Sequence, residues 1–348
     1  MITVLHRRQS LFLPLISLLL MLTGCNLEVM NPSGDIAVQQ SHLILIATGL
    51  MLLIIIPVIA LIIIFAWRYR KSNVAAIYTP DWDHSTKLEL VIWGAPLLII
   101  IALGLITWIS THVLDPYRPL QRLDANRPIA ANTKPLIVQV VALDWKWLFI
   151  YPEQGIATIN ELVTPVDVPV RFKITASTVM NSFYIPALAG QIYAMPGMVT
   201  TLNAVLNKPG QFTGFSANYS GAGFSDMRFK YYGKSTGDFD KWVEATKAGG
   251  GKLDRANYLE LEKPSERAPV KRYGSVASDL YDAIVNRCVD MNDKCINQIM
   301  ADDAMRTTLK AASVSLKATP ETRLFALAQA DICTAPLTST KVNYVRPY

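Results

Sequence analysis

The chain has 348 residues, 51% of them hydrophobic, with 33 basic and 27 acidic side chains and a net charge of +6. That length exceeds one ordinary domain, so two or three units are expected. Charges of both signs are interspersed without a long basic run, which argues for a solvated surface and against a nucleic-acid partner.

The apolar excess is concentrated before residue 112, and the chain is best taken in order from there. His6, Arg7 and Arg8 precede a short apolar run at residues 11–21, which together read as a secretory signal over residues 1–24. The run is too short to span a bilayer. Leu22-Thr23-Gly24-Cys25 resembles a bacterial lipobox, in which Cys25 becomes the lipidated first residue. The plainer reading of Cys25 is a buried cysteine in an apolar segment. Each buried methylene of an acyl chain would add about 0.8 kcal/mol of membrane affinity. Residues 25–42 would then form a short periplasmic N-terminus.

Residues 43–67 form an uninterrupted apolar run, long enough to cross roughly 30 Å of hydrocarbon as a helix. Pro57 lies near its middle, where helices in a membrane tolerate a kink. Arg68, Arg70 and Lys71 follow at once and place that end in the cytoplasm. Residues 68–87 make a cytoplasmic loop, and residues 88–110 a second span with Trp93 and Trp108 near its ends. The topology is outside–in–outside. Glu89, at the cytoplasmic mouth, must face protein or water; a pairing with Lys87 or a lipid headgroup satisfies it.

Residues 111–133 are polar and lack apolar periodicity, so they read as a linker. From residue 135 the pattern becomes that of strands, at 136–142, 168–175, 199–206, 211–217 and 227–232, separated by Pro, Gly, Asn and Asp. Short strands at that spacing predict a β-sandwich. The hairpin tip between the last two carries Ser216, Asn218, Ser220, Phe224 and Met227. Such a tip is where a metal or substrate site is expected, yet only Met227 offers a soft donor.

The frame around this tip resembles the copper loop of subunit II in the haem–copper respiratory oxidases, Cys-x-Glu-x-Cys-x3-His-x2-Met, preceded by His-Ser-aromatic-x-x-Pro. In this sequence the cysteines fall on Ser216 and Ser220, the acidic residue on Asn218, the loop histidine on Phe224 and the methionine on Met227. The upstream histidine falls on Asn181, within NSFYIP at 181–186. Five of six ligand positions differ, as they do in the cytochrome bo-type ubiquinol oxidases. The resemblance, running from about residue 25 to 275, implies a cupredoxin-like Greek-key sandwich over residues 134–233 that holds no copper. It also implies that Glu89, just before Val-Ile-Trp-x-x-Pro, lies at the entrance of a proton path into subunit I.

The run DWKWLFIY at 144–151 resembles the aromatic cluster through which cytochrome c delivers electrons in copper-bearing relatives. Trp145 matches the entry tryptophan, but its usual aromatic neighbour is Lys146 here. Without copper these rings are expected to fill the core or the contact with subunit I. Met195 and Met198 lie near the tip and read as packing rather than copper handling.

After Gly233 the chain turns helical, with Asp238 as a cap for a helix through Trp242 and Val243 to Lys247. A second helix spans residues 253–262 and is stopped by Pro264. Residues 234–275 resemble the aromatic-rich helical extension of quinol-oxidase subunits II. Residues 276–348 carry little resemblance to rely on; Leu280, Ile284, Cys288, Cys295 and Ile299 recur at roughly helical spacing, and residues 309–330 read as further helix. One disulfide is expected among Cys288, Cys295 and Cys333, with connectivity open; three reduced, buried thiols are the alternative. Cys288 and Cys295 would meet only if the helix breaks at residues 290–293.

The resemblance therefore implies a non-redox subunit of a proton-translocating ubiquinol oxidase in the bacterial inner membrane. Haems, copper and the ubiquinol site would belong to subunit I, with subunits III and IV and membrane lipids as further partners. A different class is a lipid-anchored copper carrier. A cytochrome c oxidase subunit is a third reading, and both need the thiolates and imidazoles that Ser216, Ser220, Phe224 and Asn181 replace.

Overall fold

A computed structural model of the chain describes residues 28–77, 79, 81–130 and 132–317. By internal contacts it divides into two units that meet between Val285 and Asn286. The first begins with helix α1 (Asp35–Arg68), continuous through Pro57, and helix α2 (Thr86–Val113). Both are long and apolar enough to cross a membrane. α1 starts well before the expected residue 43. Its 34 residues span about 51 Å at 1.5 Å per residue, well beyond the roughly 30 Å of a hydrocarbon core. The surplus first turns bury Asp35, Ala37 and Ser41 against the β-domain.

The seating of that helix starts at Gly34. The Ser33 and Gly34 amides donate to Ala187 O at 2.8 and 2.9 Å, and the Asn207 amide donates to Ser33 O at 2.8 Å. A Cβ on Gly34 would stand 2.6 Å from both Leu188 O and Val205 O, so only glycine allows this approach.

Residues 111–133 are not a bare linker. They carry a two-stranded ribbon of β1 (Arg122–Asp124) and β2 (Arg127–Pro128). Arg127 bridges Asp124 and Asp167 and ties the ribbon to the β-domain. Strands β3 (Leu136–Leu143), β4 (Lys146–Tyr151), β5 (Ile156–Ile159), β6 (Glu161–Pro165), β7 (Pro169–Ala176), β8 (Asn181–Ile185), β9 (Ala189–Ala194), β10 (Thr200–Val205), β11 (Gly210–Ser216) and β12 (Arg228–Lys234) build the sandwich. One sheet runs β10-β7-β3-β4-β5 and continues into two later strands; the other runs β6-β12-β11-β8-β9. The five expected strands appear within a residue or two of their expected bounds.

Between the sheets lies an aromatic core. Phe183 stacks on Phe229 at 5.6 Å, and Trp147 and Phe149 meet both rings at tilted or edge geometry. These rings are all buried, each contributing about 1.5–3 kcal/mol through lost water contact. Of the run 144–151 this places Trp147, Phe149 and Tyr151 in the core between the sheets, with Trp145 at its edge.

The extension departs from the helical expectation. Helix α3 (Thr236–Gly249) is capped by Ser235, whose Oγ accepts from the Asp238 amide, so Asp238 is the third helical residue and not the cap. Phe239 and Trp242 pack it onto Tyr151, and Val243 is buried beside them. Between α3 and helix α4 (Arg255–Glu262) runs β13 (Gly251–Leu253), and β14 (Lys271–Val276) follows α4. β14 pairs antiparallel with β5, and β13 pairs parallel with β14, so the extension widens the first sheet to seven strands. A short helix α5 (Leu280–Val285) closes the unit.

In the second unit, Cys288 and Cys295 form a disulfide with Cα atoms 4.8 Å apart. The chain breaks at a turn in which the Asp293 amide donates to Asp290 O, followed by helix α6 (Ile296–Lys317). Cys25, Cys333 and residues 318–330 lie outside the described residues.

Candidate functional site

The six positions matched to copper ligands sit where β8, β11 and the loop 217–227 converge. Ser216 ends β11 and pairs with Phe183 of β8, which brings its side chain beside Asn181. Ser216 Oγ donates to Asn181 Oδ1 at 3.0 Å, and both residues are buried. Ser216 Oγ also lies 3.2 Å from Asn218 O, and Asn181 Nδ2 donates to Val179 O at 3.1 Å. Every polar atom at the base of the basin is therefore engaged with its neighbours.

A second contact joins Ser220 to Met227, Oγ to Sδ at 3.9 Å, with Met227 buried. The other two positions turn away. Asn218 donates to Met180 O and Tyr219 O, each at 3.3 Å. Phe224 lies edge-on to Tyr219 with ring centroids 5.6 Å apart. Four of the six side chains thus converge as two pairs, and two line the loop's outer side.

Two tryptophans, expected only to fill the core or the contact with subunit I, hold this loop. Trp145, in the left-handed region with φ 65°, donates from Nε1 to Ser220 O at 3.1 Å. Gly221 and Gly223 pass directly over its ring; a Cβ on Gly223 would stand 2.6 Å from it, and Gly221 itself has φ 115°. From below, Trp147 Nε1 donates to Met227 O at 3.4 Å. The sequence signal for this anchoring is the pair of glycines spaced by one residue within the loop.

Chemically the basin offers two hydroxyls, two amides, a thioether and a phenyl ring. A dinuclear copper centre needs bridging thiolates and imidazoles, and none is present, so these residues do not fit the metal. Among the described residues no group of three or more His, Cys, Asp or Glu side chains is placed to hold a metal ion.

Lys146, where an aromatic neighbour is usual, is nearly buried, and its Nζ donates to Lys263 O and Ser265 Oγ at 2.7 Å each. Burial lowers its pKa from the ordinary lysine value. It fastens the turn after α4 to β4. Arg272 of β14 makes two short hydrogen bonds, 2.6 and 2.8 Å, to the buried carboxylate of Glu161.

Glu89 lies in the first turn of α2, half exposed. Its carboxylate meets His84 Nδ1 at 2.8 Å, not Lys87, and His84 Nε2 lies 3.1 Å from Thr86 Oγ1. Met198 is exposed.

The sandwich and its loop define a periplasmic domain of the oxidase subunit II class. The family model described as cytochrome c oxidase subunit II, periplasmic domain, matches residues 152–230. That of the COX aromatic rich motif matches residues 247–292. Cytochrome bo(3) ubiquinol oxidase subunit 2 of Pseudomonas putida is 55% identical over 80% of this chain and 86% of that protein. Ubiquinol oxidase subunit 2 of Acetobacter aceti is 49% identical over 76% of this chain and 84% of that protein. The chain belongs to the ubiquinol oxidase subunit 2 family. A crystal structure of the periplasmic domain of cytochrome oxidase subunit II from Bradyrhizobium japonicum is 23% identical over 33% of this chain and 96% of that one, with a TM-score of 0.32.

Proposed function

We propose that this chain is the copper-free subunit II of a proton-translocating oxidase that passes electrons from ubiquinol to oxygen in a bacterial inner membrane. It carries no redox centre. It steadies subunit I with α1 and α2 and covers it with the β-domain on the periplasmic side, alongside smaller subunits III and IV. Haems and copper belong to subunit I. The supporting observation is the basin itself: Ser216 and Asn181 spend their side chains on each other where a copper site would need thiolate and imidazole. The same observation argues against a copper carrier.

In this reading Arg68, Arg70 and Lys71 keep the connection between the helices in the cytoplasm, and Cys25 carries an acyl anchor. Glu89, with His84 at 2.8 Å, stands at the cytoplasmic mouth of a proton path. Glu89→Gln removes the carboxylate while keeping the shape, and is expected to slow oxygen uptake severalfold; unchanged turnover in the assembled complex would dismiss the assignment.

The whole reading is tested by isolating the tagged chain from its own membranes in mild detergent. A haem-bearing complex that oxidises ubiquinol but not reduced cytochrome c is the expected result. A solitary, haem-free chain carrying stoichiometric copper would overturn it.

A further inference from the structure

Where α1 enters the β-domain and α2 leaves toward the ribbon, the fold leaves a cavity of about 410 Å³. A second, of about 360 Å³, adjoins it between the two helices. Gln40 and Leu114 line both, so the two are immediate neighbours. The charged side chains line the upper part only, and the lower part is lined by uncharged, mainly apolar side chains, which suits an amphiphile.

The upper cavity contains two arginines and two carboxylates, but they are not equivalent. Asp35 is buried and engaged by Arg122 Nε at 3.0 Å and Gln39 Nε2 at 2.7 Å. That pair satisfies itself. Arg118 and Asp115 remain, both exposed, and neither makes an ion pair among the described residues. Arg118 Nη1 reaches only His112 O at 3.4 Å, and Asp115 Oδ1 accepts only the Tyr117 amide at 3.0 Å. One free guanidinium and one free carboxylate, joined by a single turn, complement a head that carries both a phosphate and an ammonium.

Below them, Leu43, Ile44 and Ala47 of α1 face Leu103 and Ile106 of α2. From Gln40 to Ala47 is about 10 Å along the helix, and from Leu114 to Leu103 about 16 Å, at 1.5 Å per residue. The small side chain of Ala47 keeps the groove open at its floor. We infer that this space is a binding site for a zwitterionic phospholipid of the phosphatidylethanolamine class, its phosphate on Arg118, its ammonium on Asp115 and one acyl chain between the helices. The inference rests on the reading that both helices span the bilayer.

The test extracts the full-length chain, with whatever subunits accompany it, and counts the phospholipids retained in detergent by native mass spectrometry. Alkaline extraction of the membranes is run in parallel, so a chain that is not integral reveals itself independently of any lipid. Wild-type protein is expected to keep one more phosphatidylethanolamine per chain than Arg118→Glu or Ala47→Trp, each still co-purifying with its partners. Asp115→Asn removes the ammonium partner alone and is expected to shift the retained lipid toward phosphatidylglycerol. Equal retention across all four proteins overturns the site, as does a retained lipid whose head is indifferent to Asp115→Asn. If an acyl chain on Cys25 fills the groove instead, Cys25→Ser will gain a phospholipid that the wild type lacks, and that result also overturns it.

Discussion

At the scale of single residues, the basin is a polar knot that replaces a metal. Asn181 Oδ1 is buried and receives its hydrogen bond from Ser216 Oγ at 3.0 Å. Ser216→Ala deletes the donor and leaves the acceptor without water or partner, which costs about 1–3 kcal/mol. Chemical denaturation followed by tryptophan fluorescence should show that loss, while Ser220→Ala, whose contact to a thioether is weak and half exposed, should cost less. Equal effects would mean the knot is not what holds the loop. The identities at these positions were legible in the sequence because the loop spacing survives even though its donors do not. The role of Trp145 was not. It depends on a left-handed backbone and on two glycines some 75 residues away; that glycine pair marks a close approach but not which ring makes it. The buried end of Lys146 escaped for the same reason, since its acceptors come from the turn after α4.

At the scale of elements, α3 shows how local chemistry and tertiary packing divide the work. Ser235 Oγ accepts from the Asp238 amide at 3.2 Å and donates to Asp238 Oδ2 at 2.8 Å, a reciprocal cap at the helix start. Ser235→Ala should destabilise the chain by about 1 kcal/mol. Asp238→Asn should cost less, since the capping hydroxyl remains. A larger effect of Asp238 than of Ser235, read from denaturation midpoints, would restore Asp238 as the cap. Elements with a strong period or β-branched run, such as β3, β7 and β10, could be read from sequence almost to the residue. Others could not. β14 reads KRYGSV, charged and glycine-containing, and becomes a strand only because β5 offers its edge and Glu161 pairs with Arg272. β5 and β6 are split by Asn160, which turns at φ 55° while its side chain binds the Trp147 amide and Ala268 O. The early start of α1 likewise follows from its docking at Gly34, not from its own apolar run.

At the scale of the whole molecule, the fold buries phenols around the β-domain and its extension. Tyr151, Tyr231, Tyr258 and Tyr281 are each buried, and burial pushes all four pKa values above the ordinary tyrosine range. Their hydroxyls are tied to Val163 O, Thr164 Oγ1, Glu262 Oε1 and Lys173 O respectively. A raised folded pKa means the folded chain keeps protons that the unfolded chain sheds above about pH 10. Stability from these groups is therefore complete below that pH and is lost as pH climbs through it. Each phenol removes roughly 1.4 kcal/mol per pH unit in that window. Lys146 opposes them, because its lowered pKa leaves the folded chain with fewer protons than the unfolded one as pH approaches the ordinary lysine value. One lysine against four phenols does not reverse the sign. With total stabilities of about 5–15 kcal/mol, the β-domain should unfold steeply within one to three units above pH 10. Near-ultraviolet circular dichroism of the detergent-solubilised chain would follow it. Tyr281→Phe removes one of the four protons at the expense of one hydrogen bond, about 1 kcal/mol. It should lower stability slightly at neutral pH, flatten the alkaline slope by a quarter, and move the alkaline midpoint little. A chain that remains folded at about pH 13, or a slope indifferent to this substitution, would show that these buried phenols do not govern its alkaline limit.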